Sequence, residues 1–288
     1  MQVEQEYLAH RSLVVRLAYD ITGSWADAED VAQQTWLRWQ SVDTEVENPR
    51  AYLARIASRL ALDVVAARER MGYPGPFLPE PVPTGPGADA AVEQAQEVEV
   101  ALMVVLGTLS PLERAAFLLH DVFGFSHAEV ADMLGRQEAA VRQLASRARR
   151  RIRERPDAVA SDLDVAELRD LSDRFLGAAR NGDLAALQEF LTEDVVFVGD
   201  GGGVASTTRR PVHGVDPVAR LLVGLMTKYG SRMELEVVQA NHRPALAMYL
   251  GGELDTLTWL IVREGRIARV LVVRNPHKLG LWGAAAGG

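Results

Sequence analysis

Residues 126–155 read SHAEVADMLGRQEAAVRQLASRARRRIRER. Ser126 with Glu129 three residues on is a capping box, which satisfies the orphan N–H groups of a helix start. Val130, Ala131, Met133 and Leu134 then share one face, and Gly135 supplies the stop. From Arg136 to Arg155 there are eight arginines against two glutamates, a local charge of +6 on a chain whose net charge is −8. A short capped helix, a glycine turn and a longer arginine-rich helix make a helix-turn-helix. The first turns of the second helix would face base edges, here Glu138, Ala139, Arg142 and Gln143. Arg147, Arg149, Arg150 and Arg151 follow, each able to take a phosphate. Gln137 stands at the N-cap, where Ser or Thr would cap better. A basic stripe concentrated on an acidic chain is an electrostatic footprint of DNA. The competing reading of each arginine is a solvated helix face.

Just upstream, Ser110, Pro111 and Glu113 open another helix with the same device. The N-terminal 70 residues also read as helices. One stops at Gly23. A second starts at Ser24, with Asp27 three residues on, and carries Ala28, Val31, Ala32, Thr35 and Trp36 as an inner stripe. A third opens with Asn48 as N-cap and Pro49 at the first helical position, and it holds Arg50, Arg55 and Arg59. Between the helical regions lies GYPGPFLPEPVPTGPG, Gly72–Gly87, with six of the chain's 13 prolines. Proline holds such a segment extended, so displaying Phe77 and Leu78 costs little ordering entropy. A helix from Ala90 to about Gly107 follows.

Beyond residue 160 the pattern changes. Two helices separated by Asn181-Gly182-Asp183 precede a strand that runs into a glycine-rich loop. Another helix follows, and then a meander of strands with a hairpin at Glu264-Gly265. Helices followed by strands indicate an α+β cone with one curved sheet.

The composition bounds the rest. The 288 residues suffice for two or three domains, and 48% hydrophobic content suffices for packed cores. No apolar run has the length of a membrane span, and the N-terminal residues do not read as a secretion signal. There is no cysteine, which excludes disulfides and thiolate metal sites and is compatible with a reducing cytoplasm. No cofactor, metal or membrane is expected.

DAEDVAQQTWLRW and NPRAYLARIASRLALD resemble the core-binding and promoter-melting helices of sigma factors. LSPLERAAFLLHDVFGFSHAEVADMLG resembles the sigma helix-turn-helix domain. With only these two domains, residues 1–155 look like an extracytoplasmic-function sigma factor of the sigma-70 family. The resemblance implies that Asp30, Gln33, Gln34 and Trp36 dock on the clamp helices of core RNA polymerase, with Gln34 where the family more often has Glu. The resemblance also implies that the helix-turn-helix domain contacts the polymerase flap. The loop Ser41–Glu47, with Asn48, Arg50, Arg55 and Arg59, matches the part that captures a flipped base of the minus-ten element, an extrusion costing a few kcal/mol. Glu138, Arg142, Gln143, Arg147, Arg149 and Arg150 match the minus-thirty-five reader.

The C-terminal part resembles the SnoaL-like fold. Three short sequences point to the sigma J subgroup that carries such a domain. FLPEP (Phe77, Leu78, Pro79, Glu80, Pro81) matches its linker motif, which usually begins with Trp. DGGG (Asp200, Gly201, Gly202, Gly203) matches its loop motif, with Val204 in place of a frequent Lys. NPHKL (Asn275, Pro276, His277, Lys278, Leu279) matches its terminal motif, with His277 in place of Asp. The resemblance implies regulation in cis, without a separate anti-sigma factor, in the cytoplasm, and it suggests a socket for Phe77 and Leu78 near the last two motifs. Packing of Phe77 on its own helical domain is the plainer alternative.

The expected architecture is multidomain. Two all-α domains (1–70 and 92–155, the second the helix-turn-helix) are joined by a proline-rich linker at 71–91. A linker at 156–164, an α+β SnoaL-like cone with a curved mixed β-sheet at 165–280 and a tail at 281–288 complete it. Two other functions stay open: a ligand-sensing helix-turn-helix regulator, and a cyclase- or isomerase-like enzyme using some of Asp200, His213, His242, Tyr249, Asp255 and Trp259. Turnover by residues 165–288 alone would mark the enzyme; DNA binding without polymerase would mark the regulator.

Overall fold

The structure is a computed structural model and describes residues 2–84, 100–155 and 163–283. The linker positions 85–91 and 156–162, the expected helix from Ala90 up to Glu99, and tail residues 284–288 lie outside the described residues. By contact the described chain forms two units, residues 2–72 with 102–155 and residues 73–84 with 100–101 and 163–283.

The first unit begins with helices α1 (Gln2–Thr22), α2 (Trp25–Gln40) and α3 (Pro49–Met71). Gly23 makes the α1–α2 corner at φ 69°, a conformation glycine adopts without steric cost. Ser24 Oγ caps α2 by accepting from the Asp27 N–H at 3.3 Å. Val14, Leu17, Ala18 and Ile21 of α1 meet Ala28 and Val31 of α2 and Leu53, Ala57 and Ala61 of α3 in a closed core. Helix α4 spans Val100–Leu106. The capping boxes of Ser110–Glu113 and Ser126–Glu129 are both formed, opening α5 (Pro111–Phe117) and α6 (His127–Leu134). Between them lies a π turn, Leu118–Val122. Gly135 ends α6 in the left-handed conformation, and α7 (Glu138–Arg153) follows, burying Val141, Ala145 and Ala148. Gln137 gives α7 no side-chain cap.

The second unit is the α+β cone. Helices α8 (Val165–Arg180) and α9 (Leu184–Glu189) lead into β1 (Leu191–Asp200); β2 (Val212–His213) and α10 (Val215–Tyr229) follow. Strands β3 (Met233–Ala240), β4 (Arg243–Leu250), β5 (Glu253–Arg263) and β6 (Arg266–Val273) then meander antiparallel. The sheet order is β2-β1-β6-β5-β4-β3, with β1 parallel to β6. Register breaks at Met248/Tyr249 and Ile261/Val262 bend the strands, the usual means of curving a sheet. Phe175, Leu187, Phe197, Leu222, Met226 and Leu246 are among the residues of the core between helices and sheet.

Residues 73–84 run along this cone as an extended strap. Its end is held by a bridge between Pro83 and Ala240, by Thr84 N–H donating to Gln239 O at 3.0 Å, and by Asn241 N–H donating to Val82 O at 2.9 Å. Proline is tolerated there because the strap lies at the sheet edge, where one face of the backbone needs no partner. A short helix, Gly280–Gly283, closes the unit.

Candidate functional site

The strap delivers its apolar pair into a polar socket on the cone. Asp200, the last residue of β1, is fully buried. Its Oδ2 accepts from the Leu78 N–H at 2.9 Å and from Lys278 Nζ at 2.8 Å. Its Oδ1 accepts from Tyr73 Oη at 2.6 Å and from the Gly202 N–H at 3.0 Å. Lys278, 5% exposed, also donates to Leu78 O and stands 3.3 Å from the centroid of the Phe77 ring. Tyr73 meets Phe77 edge-on, at 5.0 Å between centroids. A buried lysine is tolerated when it is paired and hydrogen-bonded, and here a carboxylate, a carbonyl and an aromatic face share the ammonium.

The glycine loop closes this socket. Gly202, at φ 60°, has Asn275 against it, so a Cβ there would come within 2.2 Å of Asn275 Nδ2. Gly203, at φ 75°, is packed the same way by Pro74, and a Cβ on Gly201 would meet Ala205 O at 2.2 Å. Asn275 Nδ2 donates to Tyr73 Oη at 3.0 Å, and its Oδ1 caps the turn Pro276–Lys278 by accepting from the His277 N–H. Pro79, Glu80, Pro81 and Leu279 are also buried. The structure therefore brings together all three sequence motifs of the cone and strap. Leu78 bonds Asp200 and Lys278 of the cone, and the Phe77 ring lies against Lys278. Tyr73 belongs to the socket too and was missed: an aromatic residue between Gly72 and Pro74 was the available signal.

The arginines of α3 form a second cluster, inside the first unit. Arg50 donates to Phe123 O at 2.6 Å and covers the Phe125 ring at 4.1 Å. Arg55 pairs with Asp132 at 3.3 Å. Arg59 donates to Met133 O at 2.9 Å and Asp132 O at 3.2 Å, the carbonyl end of α6, where a cation is favoured. Arg55 and Arg59 thus rest on the first helix of the helix-turn-helix, and Arg50 on the segment just before it. Asn48 caps α3, its Oδ1 accepting from the Ala51 N–H at 3.0 Å. Beside this contact, Arg38, Ser41, Asp43, Tyr52, Arg55 and Arg59 line an open cleft of about 450 Å³.

On α2, Asp30, Gln33 and Trp36 line a surface groove of about 460 Å³ with Tyr7 and Leu8; Gln34 is exposed and lies outside it. Trp36 leans on Tyr7 at 5.0 Å between centroids. Five of the six arginines of α7 are paired with nearby acids. Arg147 (3.3 Å) and Arg151 (2.9 Å) share Glu113, and Arg149 bonds Asp121 at 2.7 Å. Arg142 pairs with Glu138 one turn back, and Arg150 with Glu154. Gln143 and Ala139 are exposed. Burial alone would raise the Glu113 carboxyl; hydrogen bonds from Ser110 and the charges of Arg151 and Arg147 outweigh that and hold it below the usual carboxylate range.

The candidate acid–base residues of the cone are not assembled. Asp200 belongs to the socket. His213 pairs at one edge of the sheet in β2, whereas His242 sits in the β3–β4 turn at the other edge. Tyr249 donates to Glu236 at 3.2 Å, and the buried Trp259 donates to Ala240 O at 3.2 Å. Asp255 accepts two bonds from Arg274, at 2.8 and 2.9 Å. Among the described residues no group of His, Asp and Glu is placed to hold a metal, and no helix is long and apolar enough to cross a membrane.

Known proteins share both helical regions and most of the chain's length. The family description sigma-70 region 2 matches residues 7–71, and sigma-70 region 4 matches residues 99–152. The ECF RNA polymerase sigma factor SigJ of Mycobacterium tuberculosis is 40% identical over 95% of this chain and 92% of its own length. SigG of the same organism is 31% identical over 85% of this chain and 71% of its own. The crystal structure of SigJ superposes with a TM-score of 0.75 at 35% identity, covering 97% of this chain and 98% of that one. The chain belongs to the extracytoplasmic-function RNA polymerase sigma factors.

Proposed function

We propose that this sigma factor is held in a DNA-refusing state until core polymerase engages it, and that its SnoaL-like cone governs that state in cis. The carrying observation is the engagement of Arg50, Arg55 and Arg59 by residues 123–133. Arg55 and Arg59, which would meet the minus-ten element, already donate to the first helix of the helix-turn-helix that would read the minus-thirty-five element, and Arg50 donates to Phe123 just before it. In this reading the helical part comprises two domains, 1–70 and 92–155, that separate on the polymerase. Asp30, Gln33, Gln34 and Trp36 dock on the clamp helices, and the helix-turn-helix meets the flap. The cleft at Ser41 and Tyr52 receives the flipped base. The cone acts as a regulator and not as a catalyst, in the cytoplasm, and replaces a separate anti-sigma factor. The strap is the lever, because the chain leaves α3 at Gly72 and enters the socket one residue later.

Mobility-shift and transcription assays on one promoter fragment test this. Full-length protein alone leaves the DNA unshifted, and adding core polymerase yields a complex and a transcript. Arg55→Ala with Arg59→Ala lowers transcription in that complex. Tight promoter binding by the free full-length chain would overturn the closed state, and unaltered transcription by the double variant would remove α3 from promoter melting.

A further inference from the structure

The cone contains a cavity of about 310 Å³ that the socket does not use. Its walls are largely leucine, methionine and valine from α10 and the sheet, including Leu221, Leu225, Met248 and Val272. Threonines interrupt these walls, Thr258 and Thr208 among them. Thr258 Oγ1 and Thr208 Oγ1 are both buried, and neither has a hydrogen-bond partner among the described residues; Thr258 as a whole is 2% exposed. Buried polar groups in folded proteins are nearly always satisfied, and an exception calls for a partner. Pockets of this size and lining, apolar with a few placed polar groups, are where small molecules bind.

The lining also limits the charge of an occupant. The one guanidinium of the lining, that of Arg274, donates Nε and Nη2 to Asp255 and Nη1 to Ser206 O at 2.9 Å. Hydrogen bonds from Arg274 and Thr256 hold Asp255 ionised against its burial. The pair is thus neutral and internally satisfied; Lys228 stands exposed at the rim, 4.9 Å from the Tyr229 ring. Neither a strong anion nor a cation would find an unspent counter-charge inside.

We infer that the cone binds a compact, neutral, mainly apolar molecule carrying one carbonyl or hydroxyl group, which meets Thr258 and Thr208. Thr207 and Thr208, which line the cavity, belong to the same loop whose glycines meet Pro74 and Asn275. An occupant therefore sits behind the loop that closes the strap socket.

The test uses full-length protein and two fluorophores: 6-propionyl-2-(dimethylamino)naphthalene, a neutral ketone, and 2-(dimethylamino)naphthalene, which lacks the acyl group. The ketone binds saturably with one site and a blue-shifted emission. Thr258→Val keeps the shape and removes the hydroxyl, so it weakens the ketone about fivefold and leaves the second fluorophore unchanged. Leu225→Trp fills the cavity and abolishes both. Absence of saturable ketone binding would overturn the inference, as would a Thr258→Val protein that binds the ketone undiminished or loses both fluorophores equally. Should Leu225→Trp fail to fold, the Thr258→Val pair of titrations decides alone.

Discussion

Leu78 and Asp200 are 122 positions apart, and the backbone N–H of the first donates to the buried carboxylate of the second at 2.9 Å. The same carboxylate oxygen takes the Lys278 ammonium. One acidic side chain therefore ties the strap to the end of β1 and to the terminal motif at once. Loss of the acid strands a buried cation, and breaking one side of a buried pair costs about 3–5 kcal/mol.

Asp200→Ala should accordingly lower the stability of the full chain by an amount in that range, measured by urea unfolding. Adding Lys278→Met removes the stranded charge and should restore part of the loss. Additive effects of the two substitutions would show that the pair is not coupled.

Phe77→Ala with Leu78→Ala should release the strap without unfolding the cone. Leu78 is 2% exposed, and burying such a side chain stabilises by about 1.5–3 kcal/mol. Hydrogen exchange of residues 73–84 should accelerate while the β5 and β6 amides stay protected. Unchanged exchange in the strap, with unchanged transcription, would reduce the segment to a spacer.

The two contacts of α3 with α6 should differ in weight. Arg55–Asp132 is an exposed pair, with the Asp132 side chain 74% accessible, and such pairs contribute about 0–1 kcal/mol. Arg59 spends its guanidinium on two helix-end carbonyls, and bonds of that kind contribute about 1.5–3 kcal/mol. Arg59→Ala should therefore speed exchange in residues 127–135 far more than Asp132→Ala does. Equal effects would contradict this assignment.

The depressed Glu113 carboxyl gives the helical unit an acid limit. A group whose pKa is lower folded than unfolded contributes stability above its unfolded pKa, and that contribution fades as pH falls through the folded value. Glu113→Gln should be less stable than wild type at neutral pH, and the gap should close as pH falls below the ordinary carboxylate range. A gap independent of pH would mean that Glu113 acts by packing alone.

What the sequence made legible was local. Ser126, Glu129 and Gly135 announce a capped helix and its stop because capping is decided within a few residues. The helix-then-meander order was readable for the same reason, and it carried the fold class. The socket was only partly legible. Asp200 and Lys278 stood out as motif members, yet nothing local joins Tyr73 to Asp200 or Asn275 to Gly202. Those contacts depend on how the sheet curves and where β1 ends. Glu113 shows the same limit. It reads as a capping residue, and only the packing of α5 on α7 gives it Arg147 and Arg151 as further partners. Arg50, Arg55 and Arg59 read as DNA contacts from their position, while the engagement of Arg55 and Arg59 on α6, and of Arg50 on Phe123 and Phe125, appears only in three dimensions.

Control in cis is the central claim, and promoter-dependent transcription with purified core polymerase tests it most directly. Full-length protein and a chain lacking residues 165–288 are compared on the same promoter, for binding and for transcript. The account predicts that the truncated chain differs from the full-length one in both, because the strap has lost its socket. Equal binding and equal transcription by the two proteins would contradict it.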